Sequence, residues 1–195
     1  MLTKLEHHVT KQMIKEGLIQ VEDEEIYLFG LKKMVENAIS LLSMLIIACV
    51  LGRVWELIIF IIAFKTIREY AGGYHATTRV RCYFMTVGMI ILVLSIQNYI
   101  RLHSYIALGI WVVCGVVLFC LAPIEAENKP LDEEEKVLYK KKARYIWCTQ
   151  SICLIIATYT QHLSVYENIT LANICVAIAL LTQRCKLQII AYLNK

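Results

Sequence analysis

The sequence predicts an all-α integral membrane protein, with about six hydrophobic helices, an N-terminal amphipathic interfacial helix and both termini cytoplasmic. Three observations carry this reading. The 195-residue chain is 58% hydrophobic and 18% charged, whereas a soluble domain runs near a quarter charged. Its charge is clumped, leaving long apolar stretches between, and there are only two prolines. Lys and Arg crowd into alternate breaks between those stretches, the pattern that orients a helical membrane protein.

Taken in order, residues 2–19 place Leu2, Leu5, Val9 and Met13 on one helical stripe, with Lys4, Lys11 and Lys15 elsewhere. Such a helix can lie flat among anionic headgroups, or pack on the protein's own cytoplasmic face. His7 and His8 read as solvated surface residues, and Glu22-Asp23-Glu24-Glu25 as an acidic turn. Residues 1–35 lack the apolar core and small-residue site of a cleavable signal peptide, so the membrane segments themselves are expected to direct insertion.

Six apolar segments follow, at about 37–52, 54–67, 83–100, 104–122, 145–161 and 165–183. A spanning helix needs about 20 residues, so the first two are short. Gly52-Arg53 between them suits a tight hairpin, or a pair that enters only part way under cover of other helices. The organisation is one membrane domain: an interfacial region at 1–35, two helices at 37–67 and a catalytic segment at 68–82. Two more helices follow at 83–122, a basic loop at 123–144, the last two helices at 145–183 and a tail at 184–195.

Orientation follows from the basic residues. Lys4, Lys11, Lys15, Lys32 and Lys33 precede the first segment, and Arg68, Arg79 and Arg81 follow the second. Lys129, Lys136, Lys140, Lys141, Lys142 and Arg144 follow the fourth, and Arg184, Lys186 and Lys195 the sixth. With these regions cytoplasmic, the other side keeps only Arg53 and Arg101. The net charge of +4 is accounted for by this topology, and nothing supports nucleic-acid binding.

The break at 68–82 carries the chemistry. His75 and Cys82 stand seven positions apart, close to two helical turns, and would share a face if the segment is helical. An imidazole can take a thiol's proton, and the thiolate is a strong nucleophile. Arg79 and Arg81 favour that thiolate by their local positive potential. Arg68 can neutralise an oxyanion or a substrate carboxylate, or simply snorkel to the interface. Glu69 could orient His75, although a six-residue separation is poor helical geometry. Gly72-Gly73 permits positive φ and close approach of another chain, or marks a flexible helix boundary.

The other cysteines have blander surroundings. Cys49, Cys114, Cys120, Cys148, Cys153 and Cys175 lie inside apolar runs and read as small packing residues, and Cys185 sits between Arg184 and Lys186. No CxxC pair or zinc-ligand spacing occurs, so neither a metal nor another cofactor is expected.

The run Arg68-Glu69-Tyr70-Ala71-Gly72-Gly73-Tyr74-His75-Ala76 with Cys82 resembles the signature of the accessory gene regulator B family. The stretch Ala122-Pro123-Ile124-Glu125-Ala126-Glu127-Asn128-Lys129-Pro130-Leu131 is similar to the proline-containing loop after that family's fourth membrane segment. The resemblance implies a membrane cysteine endopeptidase of Gram-positive bacteria, multi-pass in the cell membrane, with a cytoplasmic active site. His75 and Cys82 match the catalytic pair. The implied reaction removes the C-terminal tail of a quorum-sensing precursor through a Cys82 thioester and promotes its cyclisation to a (thio)lactone autoinducing peptide. The implied partners are an AgrD-like precursor with an amphipathic N-terminal helix and an acidic tail, membrane lipids and a second copy in a homodimer. Lys140, Lys141, Lys142 and Arg144 can hold the acidic tail, or serve only as a topological anchor.

Two other readings compete. A small-peptide exporter without proteolytic activity calls for polar residues within the spans. Here Glu56, Lys65 and Glu167 fall near span ends, and Gln97 and Asn98 lie late in the third. A noncatalytic scaffold leaves the His/Cys spacing unexplained.

Overall fold

The structure is a computed structural model that describes residues 2–74, 76, 78–125 and 131–193. Its elements are α1 (Leu2–Lys15), a 3-10 turn (Val21–Asp23), α2 (Glu24–Leu51), α3 (Val54–Ala71), α4 (Arg79–Ile96), α5 (Ser104–Leu121), α6 (Glu133–Tyr159) and α7 (Leu163–Leu193). Among the described residues there is no strand. Among those same residues three stretches are long and apolar enough to cross a membrane: Val21–Leu51, Ser104–Leu121 and Leu163–Leu193.

Two compact units divide the chain, Met1–Ile46 and Ile47–Lys195. In the first, His7, His8, Lys11 and Lys15 of α1 are exposed while Val9 and Met13 are half-buried, following the expected stripe. The helix stops at Gly17, whose positive φ lets Gly17 N–H reach Ile14 O and Leu18 N–H reach Met13 O. Gly52 closes α2 in the same way, with Gly52 N–H on Cys49 O and Arg53 N–H on Ala48 O.

In the second unit α7 is the central post, packed against α3, α5 and α6. Its buried face is built partly of small residues, Ala172, Val176 and Ala177, which let neighbouring backbones come close. Polar bonds add to this packing. Asn173 Nδ2 donates to Gln150 Oε1 at 2.9 Å, and Gln150 Nε2 donates to the Ala63 carbonyl at 2.9 Å, joining α7, α6 and α3. Trp147 stacks on Trp111 at 5.3 Å and meets Phe119 edge-on, over Gly115 of α5. A carbon at Cβ of Gly115 would collide with the Trp147 ring.

Several boundaries differ from those expected. α2 begins at Glu24 rather than near 37, and its 28 residues reach about 42 Å. Of the acidic turn, Glu24 and Glu25 open α2, where carboxylates complement the helix dipole, and Glu22 and Asp23 lie in the 3-10 turn before it. The basic loop expected at 123–144 is helical from Glu133 onward. Glu133, Glu134 and Glu135 fill the first turn, and Asp132 N–H donates to Glu135 Oε2 at 3.3 Å, a combination that starts a helix well before the apolar run. The tail expected from residue 184 continues α7 as far as Leu193.

Candidate active site

Helix α3 ends because of two glycines. Gly72 and Gly73 adopt φ of 70° and 110°, a region L side chains rarely enter. Neither has room for a side chain. A Cβ on Gly72 would collide with the Ile124 carbonyl, and one on Gly73 would lie 2.6 Å from Arg68 Nη1 and 3.1 Å from the Ala179 backbone. The chain re-enters a helix at Arg79, where Thr78 Oγ1 caps the first turn by accepting Arg81 N–H at 3.3 Å. The described residues between Ala71 and Arg79 are not helical, so the condition under which His75 and Cys82 were expected to share one helical face is not met there.

The segment at the end of α3 is tied down on several sides. Ile124 N–H donates to Ala71 O at 3.1 Å and Gly73 N–H to Ile124 O at 3.4 Å, forming a single parallel bridge between Gly72 and Ile124. Tyr74 N–H donates to Ala179 O of α7 at 2.9 Å, and Arg68 Nη2 donates to Tyr74 O. Gln183 of α7 holds the Ile124 side of the bridge, donating from Nε2 to Glu125 O at 3.2 Å. Ile67, Ala71, Leu118, Ala122, Ile124, Val176 and Leu180 form a buried apolar floor for this segment.

Arg68 is half-buried, and its Nη1 finds no acceptor among the described residues. Burial pushes the guanidinium below its ordinary pKa, and the negative charge of a Cys82 thiolate opposes that shift. Cys82 itself is exposed, early in α4, with its N–H on Thr78 O at 3.0 Å and its carbonyl accepting Thr86 Oγ1 at 2.9 Å. Glu69 is exposed on α3. His75 lies outside the described residues, as does the Arg79 side chain.

Helix α6 brings the basic run toward the same end of α3. Lys140, Lys141 and Lys142 are exposed, and the Lys142 ammonium sits 5.0 Å over the Tyr70 ring. Tyr70 also meets Tyr139 edge-on at 5.5 Å. Arg144 differs from the lysines: it lies 5.0 Å over the Phe119 ring and donates to the Phe119 carbonyl at 3.4 Å. Nearer the helix start, Lys136 bridges Glu125 at 2.8 Å and Glu133 at 2.7 Å, and those two bonds raise its pKa.

Sequence reasoning missed the partners of this segment. Ile124 and Ala179 act through their backbone, which leaves no side-chain signature, and Gln183 falls within a long apolar run. Of the other cysteines, Cys114 is buried and Cys175 half-buried, while Cys49, Cys120, Cys148, Cys153 and Cys185 are exposed.

The molecule is therefore a helical membrane protein with an exposed cysteine beside a glycine-broken, basic interhelical segment. The family described as Accessory gene regulator B matches residues 6–190, and the chain belongs to that family. It is 27% identical over 129 residues to AgrB-like protein 2 of Clostridium perfringens strain 13, covering 62% of this chain and 60% of the relative. It is 29% identical over 126 residues to an AgrB-like protein of Listeria innocua, covering 63% and 62%. With an AgrB-like protein of Clostridium perfringens SM101 it shares 24% identity over 186 residues, covering 89% and 86%. The chain thus spans about three fifths of the length of the first two relatives and most of the third. No solved structure matches.

Proposed function

We propose that the protein is a membrane cysteine endopeptidase that cuts the C-terminal tail from a quorum-sensing precursor peptide and promotes its cyclisation. The observation that carries this reading is the break between α3 and α4. A glycine pair without side-chain room leads into His75, and an exposed Cys82 stands four residues past the Thr78 helix cap.

In this reaction His75 takes the Cys82 proton, and the sulfur attacks the scissile carbonyl. The tetrahedral intermediate collapses by expelling the tail's amine, which receives the proton from His75. Cys82 is left acylated as a thioester. An internal thiol of the precursor then attacks that thioester, releases the Cys82 thiol and closes the ring, while an internal hydroxyl would give a lactone. Thioester exchange is nearly thermoneutral, so no ATP is needed provided water is kept out. Arg68 Nη1 supplies a donor for the oxyanion as it forms. Glu69 lines the same helix end without completing a triad.

The precursor is AgrD-like, with an amphipathic helix on the membrane surface and an acidic tail against Lys140, Lys141 and Lys142. Arg144 serves that surface from behind, through its hold on Phe119. The active site faces the cytoplasm, both termini lie on that side, and two copies form a homodimer in the bacterial cell membrane. The test is co-expression with the precursor encoded beside it, following cleavage by mass in wild type, Cys82→Ala, Cys82→Ser and His75→Ala. Cleavage in wild type alone supports the proposal. Undiminished cleavage in Cys82→Ala overturns it, and export of uncleaved peptide would favour a transporter.

A further inference from the structure

At the opposite end of α4 from Cys82, polar side chains from four parts of the chain converge. Gln97 and Asn168 are 3% and 0% exposed, and Gln97 Nε2 donates to Asn168 Oδ1 at 2.8 Å. Arg53, in the turn between α2 and α3, donates from Nη1 to Gln97 Oε1 at 3.1 Å and from Nη2 to Asn98 Oδ1 at 2.6 Å. The same guanidinium meets Glu56 at 3.4 Å. Asn168 Nδ2 is used by Ser164 O at 2.7 Å, so the amide pair is fully oriented. The α4–α5 connection is pinned alongside: Leu102 N–H donates to Glu167 Oε1 at 2.8 Å, and Tyr166 Oη donates to Leu102 O at 3.0 Å.

This lock contrasts with the rest of α4. Ile90, Val93 and Leu94, next to the lock, are buried, whereas Val80 and Phe84 near Cys82 are each 65% exposed. A Cβ on Gly88 would meet open space. Contact with α3 is thin, while α3 and α5 are packed closely on α7. The helix that carries the nucleophile is therefore held firmly at its far end, while Val80, Phe84 and Met85 of its first half pack against little.

We propose that Arg53, Gln97 and Asn168 are positioning residues for Cys82, acting through α4 as a lever. This rests on the reading of Cys82 as the nucleophile. Cys82 lies 15 residues before Gln97, about 22 Å along the helix axis, so a tilt of about 5° at the lock sweeps the sulfur through about 2 Å. A displacement of that size exceeds the tolerance of a proton transfer between hydrogen-bonded partners. The bonded segment Ala71–Tyr74, which precedes His75 in the sequence, is tied separately to Ala179 of α7 and to Ile124. Ala179 and Asn168 are thus two separate anchors on α7, one for the segment after α3 and one for the far end of α4.

The test pairs kinetics with a distance. Wild type, Gln97→Leu, Asn168→Leu and the exchange Gln97→Asn with Asn168→Gln are reconstituted in phosphatidylglycerol-containing vesicles. Nitroxides are carried on ketone-bearing residues at the exposed positions Phe84 and Tyr145, leaving the cysteines untouched. The leucine variants should widen the distance distribution by about 2 Å or more, the sweep estimated above. They should lower kcat for the neighbouring precursor at least about 10-fold with KM nearly unchanged, and the exchanged pair should recover both. An unchanged distribution overturns the proposal, as does a widened one with unaltered kcat. If wild type cleaves no precursor, the peptidase reading fails, and the distance alone decides the lever: widened supports it, unchanged sinks it.

Discussion

Arg68 reaches back over two glycines to donate to the carbonyl of Tyr74, closing a loop of six residues on the end of its own helix. The bond explains why the helix can stop so abruptly. Gly72 and Gly73 bring backbone against Ile124 and Ala179, and the guanidinium occupies the space where a Gly73 side chain would begin. The residue that follows this loop in the sequence is His75.

Gly72→Ala and Gly73→Ala should each cost about 1–3 kcal/mol in backbone strain alone, with the steric overlap added. Both should express with lowered thermal stability, and both should process precursor poorly. Thermal unfolding in detergent together with cleavage by mass reads the two effects. An alanine variant of normal stability and normal activity would remove the basis for the loop.

Arg68→Lys keeps the charge but loses the planar fork that serves Tyr74 while leaving Nη1 free for the oxyanion. Its kcat should fall by roughly 10²-fold, the scale of losing one oxyanion donor. KM should change little, because the donor acts on the transition state. Steady-state kinetics in vesicles separates the two constants.

Reversing Lys140, Lys141 and Lys142 together to Glu should raise KM about 10-fold, the sum of three modest surface interactions, and leave kcat alone. High salt should weaken the wild type and not the variant. A precursor whose acidic tail is replaced by a basic one should bind the reversed protein better than the wild type.

Gly115→Ala inserts a methyl into the Trp147 ring and should destabilise the protein by about 1–3 kcal/mol through overpacking. Because that site lies in the α5–α6 packing, the residual folded protein should keep its kcat. A thermal scan with matched kinetics checks both halves.

Much of this was legible in the sequence. Most of each apolar segment falls inside one of α2 to α7, although 83–100 runs four residues past the end of α4, since long apolar runs in a charge-poor chain leave the backbone few alternatives to helix. The break at Gly72-Gly73 was visible too, because two adjacent glycines stand out in a chain with only eight. What was not legible is long-range. A shared face for His75 and Cys82 was expected only if their segment is helical, a local condition, whereas contacts from Ile124 and Ala179, some 50 and 100 residues away, stabilise the break. Arg53, Gln97 and Glu167 likewise read as separate residues near segment ends, and only packing on α7 gathers Arg53 and Gln97 with Asn168. The basic run of α6 was mistaken for loop because charge density was weighed above the helix-starting signal at Asp132 and Glu135.

The central claim is that Cys82 becomes acylated by the precursor. The protein in vesicles is mixed with precursor, quenched in acid within the first turnover, and weighed intact and after digestion. The account predicts an adduct on the Cys82 peptide equal to the precursor without its tail, released by hydroxylamine and missing in Cys82→Ala. Tail release by Cys82→Ala at the wild-type rate, with no adduct on any cysteine, would contradict it.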